Sequence, residues 1–248
     1  MLQRTDTGKA DTGRARTGRE SVHTSRLSEK FLAEVRARRG AAGFPLVPGE
    51  TALAVIDMQN VFVAPGAPME VAAARGIVPN INRLAQALRQ AGGKVIWVYT
   101  TLAQAGSERD WVYLSDFVRP ERRETIRASL RPGHEMHALW SELDIGENDL
   151  TCEKDRFSPF SPGASNLDET LRRAGISHLV VAGTLTDVCC ECTVRDAMML
   201  NYHVTAVEDA NAAGSDEDHL RGLTTIARLF ADITTTDTLI GGLRRQDA

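Results

Sequence analysis

Beyond residue 50 the chain alternates two hydrophobic patterns. Short unbroken apolar runs, which predict buried strands, occur at residues 52–57, 94–99, 149–152, 178–182, 203–207 and 232–236. Between them apolar residues recur every three or four positions, the helical period. Residues 78–91 show it best: Val78, Ile81, Leu84, Ala85 and Leu88 share a face, Pro79 stands in the first turn, and Gly92-Gly93 ends the element. Helices are likewise predicted over residues 167–174, 189–200 and 216–230, with Asn201 suited to the left-handed cap that closes the second of these.

Strands apolar on both faces and separated by helices predict an α/β fold, a three-layer αβα Rossmann-like arrangement. The sheet is expected to have six strands, mainly parallel, with helices on both faces. Residues 101–148 are less regular and are expected to form loops and a helix over the site. Residues 1–49 form a separate extension, and 50–248 a single catalytic domain. Within the extension, 1–20 repeat Thr-Gly and Arg and are expected to be disordered. Leu27, Phe31 and Val35 fall at helical spacing within 25–39, predicting a short helix laid on the domain or on a neighbouring subunit; 40–49 is a linker.

Charge narrows the function classes. The net charge is -4, yet residues 1–40 hold ten Lys or Arg against five Asp or Glu, so the body is acidic. An acidic body does not suit a nucleic-acid channel. No stretch approaches the roughly 20 apolar residues of a membrane span, and the N-terminus lacks the apolar segment of a signal peptide. A cytoplasmic protein with free thiols is expected, since three of its four cysteines are packed into positions 189–192.

Parallel sheets of this kind carry their sites at the carboxyl ends of the strands. Asp57 ends the first strand, Lys154 follows the third by two residues, and Cys189 follows the fourth. A thiol entering a helix there meets the positive end of its dipole, which favours thiolate. Carboxylate, ammonium and thiol on one rim make an apparatus for acyl transfer. Cys189 and Cys192 also form a C-x-x-C, the layout of thiol oxidoreductases, although that chemistry gives Asp57 and Lys154 no task. Cys190 and Cys192 are read as packing residues, and His134 and His137 as structural rather than a metal pair.

Four segments carry a family resemblance: Val55-Ile56-Asp57-Met58-Gln59-Asn60, Glu153-Lys154-Asp155-Arg156-Phe157-Ser158-Pro159-Phe160, residues 183–193, and Arg195-Asp196-Ala197. Together, in this order, they resemble the isochorismatase-like cysteine hydrolases, a group that includes nicotinamidase, N-carbamoylsarcosine amidase and ureidoacrylate amidohydrolase. The resemblance implies that Asp57 is the general base, Lys154 the cationic member and Cys189 the nucleophile. It implies a cis peptide at Thr184-Leu185, with the N–H groups of Leu185 and Cys189 as the oxyanion hole. The implied reaction cleaves a C–N bond of a small amide, ureido or N-carbamoyl compound through a thioester, with no metal and no organic cofactor. Vinyl-ether or lactam hydrolysis and a catalytically silent oligomeric scaffold are the alternatives.

By position, Gln59, Asn60, Phe62, Trp97, Tyr99, Trp111, Phe157 and Phe160 are candidates for the substrate wall. The segment after Tyr99 supplies no histidine, a departure from nicotinamidases that argues against nicotinamide and zinc. Val61 stands where many relatives have Asp. The expected partners are a small-molecule substrate and copies of the same chain, as a dimer or tetramer, with no nucleic acid and no membrane.

Overall fold

The computed structural model describes residues 22–39, 43–44 and 46–244. The extension's first 20 residues, expected to be disordered, lie outside the described residues. In chain order the elements are α1 (Glu29–Ala37), β1 (Thr51–Ile56), α2 (Asn60–Val63), α3 (Ala73–Gln90), β2 (Lys94–Thr100), α4 (Pro120–Ser129), β3 (Leu150–Lys154), α5 (Leu167–Arg173), β4 (His178–Thr184), α6 (Glu191–Met199), β5 (His203–Ala212), α7 (Asp216–Leu229), β6 (Asp232–Thr234) and α8 (Thr236–Arg244). Two π-helical turns, Tyr113–Phe117 and Thr186–Cys190, complete the parts that matter for the site.

The sheet has six strands in the order β3-β2-β1-β4-β5-β6, and every neighbouring pair is parallel. Side chains alternate along each strand, so β1 divides its burial between two cores. Leu53 and Val55 join the core under α3 and α8, while Ala52, Ala54 and Ile56 join the core under α1, α5, α6 and α7. This order reverses direction between β1 and β4, the switch point where such sheets open a crevice.

Several boundaries differ from the sequence reading. α3 begins at Ala73, so Pro79 lies inside the helix rather than in its first turn; an apolar face that also takes in Ala74 and Ile77 outweighs the missing N–H. β3 extends to Lys154 itself, and β5 to Ala212 past a register shift between Val181 and Gly183. α8 was not predicted, because Gly241 and Gly242 weaken its helical signal. Asn201 does take the left-handed conformation after α6, with φ 66.

α1 lies on its own domain. Ser28 caps it by accepting from the Phe31 N–H at 3.2 Å; Leu32 joins the α7-side core, and Val35 is also buried. Arg39 then ties the helix end to Asp232 and, at 2.8 Å, to the Ala231 carbonyl.

Candidate active site

β1 ends at Ile56, and Asp57 turns the chain in a left-handed conformation, φ 52, which a residue with a Cβ keeps only when its surroundings fix it. Its N–H donates to the Val98 carbonyl at 2.8 Å, and its carboxylate is wholly buried. Lys154, the last residue of β3, stands two strands away. Its ammonium crosses the end of β2 to donate to Asp57 Oδ2 at 2.8 Å, to Thr100 Oγ1 at 2.7 Å and to the Arg156 carbonyl at 3.1 Å. Thr100 completes the bridge by donating to Asp57 Oδ1 at 2.9 Å. Cys189 Sγ lies 3.8 Å from the same ammonium.

Cys189 arrives through a turn held from several sides. The Thr184-Leu185 peptide is cis, as the resemblance implied. Gly183, at φ 118, passes so near β1 that a Cβ there would lie 2.1 Å from the Ile56 carbonyl oxygen. A Cβ on Gly222 of α7 would come within 2.9 Å of the Asp187 backbone. Thr186 Oγ1 bonds His219 Nδ1 at 2.8 Å, and Thr193 donates to the Cys189 carbonyl at 2.6 Å. Cys189 therefore sits in a π-helical turn that precedes α6, not in the first turn of an α-helix as expected.

The electrostatics follow from burial. Loss of water acts most strongly on Lys154 and by itself would lower its pKa, but the Asp57 carboxylate together with Cys189 and Cys190 outweighs it and the pKa rises. Burial likewise dominates at Cys189 and pushes the thiol well above its ordinary range; Lys154 pulls it down, and the neighbouring Asp57 pushes it up again. Burial therefore works against the helix-end effect that favours thiolate. Asp57 and Lys154 are thus paired at 2.8 Å beside a Cys189 thiol whose burial opposes ionisation.

Cys189 lies on the wall of a cavity of about 940 Å³. Phe62, Trp111, Phe157 and Leu185 also line it, with Thr100 on the catalytic side. The family model of the isochorismatase domain matches residues 51–238. The chain belongs to the isochorismatase family. A probable inactive nicotinamidase of Arabidopsis thaliana is 38% identical over 174 residues, 68% of this chain and 84% of that protein. The ureidoacrylate amidohydrolase of Caulobacter vibrioides is 33% identical over 205 residues, 77% of this chain and 90% of that protein. A cysteine hydrolase from Pseudomonas syringae pv. phaseolicola superposes with a TM-score of 0.73 at 30% identity, over 82% of this chain and 96% of that one.

In this isochorismatase-family hydrolase Asp57, Lys154 and Cys189 come together, and Phe62, Trp111 and Phe157 reach the cavity. The other wall candidates do not. Gln59 is buried against the β2 end, accepting from Thr100 N–H at 2.7 Å and donating to the Thr100 and His137 carbonyls at 3.1 and 2.8 Å. Asn60 donates to the Glu135 carbonyl at 2.9 Å, and Trp97 to Asp149 Oδ2 at 2.8 Å from within the core. Tyr99 faces Glu153 and His137, and Phe160 packs on Tyr202. His137 bonds Thr101 Oγ1 at 2.7 Å, whereas His134 accepts from the Met136 N–H at 3.0 Å, so the two imidazoles serve separate turns. Thr100 was missed because the predicted strand stopped one residue short of it; a polar residue closing an apolar strand was the available signal.

Among the described residues no helix is long and apolar enough to cross a membrane.

Proposed function

We propose that this isochorismatase-family hydrolase is a cysteine-dependent amidohydrolase that cleaves a C–N bond of a small amide, ureido or N-carbamoyl compound. The observation that carries the reading is the Lys154 ammonium between Asp57 Oδ2, at 2.8 Å, and Cys189 Sγ, at 3.8 Å, beside an apolar cavity. The amidohydrolase name of the Caulobacter relative supports it.

Asp57 takes the Cys189 proton as the sulfur attacks the carbonyl, so charge separates only during the step. Lys154 holds Asp57 in place and offsets the negative charge that passes through the site. The N–H groups of Leu185 and Cys189 receive the oxyanion, an arrangement worth on the order of 3 kcal/mol per donor in other hydrolases. Collapse of the tetrahedral intermediate breaks the C–N bond, and Asp57 returns the proton to the departing nitrogen. A water then loses its proton to Asp57 and attacks the thioester; the proton passes to the leaving sulfur and restores the thiol.

The four cysteines are free thiols, which suits a reducing cytoplasm. Exposed Met199 and Leu229, at the ends of α6 and α7, offer an apolar contact for a homo-oligomer.

Ammonia release from a panel of amides, ureido acids and N-carbamoyl compounds tests the reading, with Cys189→Ser and Cys192→Ser beside the native chain. Release lost only with Cys189 is expected. Loss only with Cys192 would favour the C-x-x-C redox chemistry instead.

A further inference from the structure

The chemistry of the cavity wall narrows the substrate. A ureido acid is small, polar and anionic, and its site needs a free cation and several polar partners. This cavity is mostly apolar, and its single lining cation, Arg156, is engaged elsewhere. Around Cys189 the wall is built from Phe62, Leu102, Trp111, Tyr113, Leu130 and Phe157. Thr100 is occupied, donating to Asp57 and accepting from Lys154. Arg156 and Asp116 are the charged lining residues, and their formal charges cancel. The Arg156 guanidinium is already held: it donates to the Asp155 carbonyl at 2.9 Å and lies 5.3 Å from the centre of the Trp111 ring.

At about 940 Å³ the volume stands near the upper end of the range, about 300–1,000 Å³, that holds drug-sized ligands. The apolar surface continues outward, for Phe117 and Val112 line the cavity and are 84% and 64% exposed. Trp111, Tyr113 and Phe157 meet one another at ring separations of 4.6 to 5.2 Å, forming an aromatic wall suited to a flat or branched apolar group.

The two sides of the scissile bond are not equivalent. Asp57, which delivers the proton to the departing nitrogen, is 0% exposed and stands behind the wall with Lys154, at 1%. A nitrogen turning toward Asp57 meets this enclosed polar side, so a departing ammonia suits it better than a bulky amine. The acyl group is left to fill the apolar cavity.

We infer that the substrate is a neutral primary carboxamide whose acyl part carries an extended aromatic or branched apolar group. This rests on the amidohydrolase reading above. The amide and the Cys189 thiol give an acyl thioester and ammonia, and water converts the thioester to the free thiol and a carboxylic acid.

The test compares kcat/KM for ammonia release from acetamide, butanamide, hexanamide, 3-phenylpropanamide, 4-phenylbutanamide, N-carbamoylglycine and ureidoacrylate. Binding of the same compounds to the Cys189→Ser protein is measured by calorimetry. The expected result is a rise in kcat/KM of about fourfold for each buried methylene, arylalkyl amides well above the ureido acids, and affinities in the same order. Cys189-dependent release that is greatest for the ureido acids, or flat along the amide series, overturns the substrate class and leaves the amidohydrolase standing. No ammonia from any compound overturns the amidohydrolase itself. The binding series then judges the pocket alone: affinities that do not rise with apolar length overturn the apolar acyl site.

Discussion

Lys154 and Asp57 come from strands separated by β2, yet their side chains meet at 2.8 Å with both fully enclosed. Breaking a buried ion pair from one side leaves an uncompensated charge, at a cost of about 3–5 kcal/mol. Lys154→Met is therefore expected to lose about that much stability in urea unfolding, together with activity. The Asp57→Asn, Lys154→Met double variant recovers much of the stability and none of the activity. Equal losses in the single and double variants would show that the pair is not coupled.

Thr100 joins both members of that pair. Thr100→Val keeps the shape and removes the hydroxyl, leaving one Asp57 oxygen and one ammonium proton unsatisfied. A loss of about 1–3 kcal/mol is expected, with kcat lowered about 10- to 100-fold by misplacement of the base. Thr100→Ser restores both. Steady-state kinetics and unfolding of the two variants check this, and an inactive serine variant would contradict it.

The strands, the parallel sheet and the shared rim of Asp57, Lys154 and Cys189 were legible because unbroken apolar runs have few alternatives inside a covered sheet. Side-chain direction near the rim was less so. Tyr99 and Thr100 are adjacent, and the alternation of the strand sends one toward Glu153 and the other to the Asp57 carboxylate. Gln59 and Asn60 looked like pocket residues by position, but each satisfies backbone groups of the 135–137 turn. The aromatic wall draws Trp111, Tyr113 and Phe117 from an insertion with no periodic pattern, so only folding brings them to Cys189. The burial of Cys189 was hidden for a related reason: a helix N-terminus can be read from sequence, whereas near-complete burial cannot.

His219 ties α7 to the Cys189 turn through Thr186 and stacks on His23 at 4.2 Å. Burial, with help from His23, lowers its pKa to about 4. The unfolded chain binds this proton below about 6.5 and the folded chain only below about 4, so stability holds above 6.5 and falls as pH drops through that window. The loss amounts to about 3 kcal/mol. Melting temperatures from pH 7 to pH 4 are expected to fall more steeply for the native protein than for His219→Gln. Parallel curves would remove His219 from the explanation.

Gly183 permits the close crossing of β4 and β1 below Cys189. Gly183→Ala places a Cβ 2.1 Å from the Ile56 carbonyl oxygen at a φ of 118, which no small shift relieves. A destabilisation of at least about 3 kcal/mol is expected, with poor recovery of folded protein. A soluble alanine variant with unchanged melting would refute this account of the turn.

The thiol of Cys189 is pushed well above its ordinary range, by burial first. In the proposed mechanism attack therefore depends on Asp57 and a bound acyl group rather than on a standing thiolate, and the most direct test is to see that acyl group on the sulfur. Native protein is mixed with a turned-over amide, quenched in acid during the steady state and weighed intact. The account predicts a mass increase equal to the acyl group, mapped to the peptide holding Cys189 and absent from Cys189→Ser. Turnover that continues in Cys189→Ser, or an adduct carried by Cys192 instead, would contradict it.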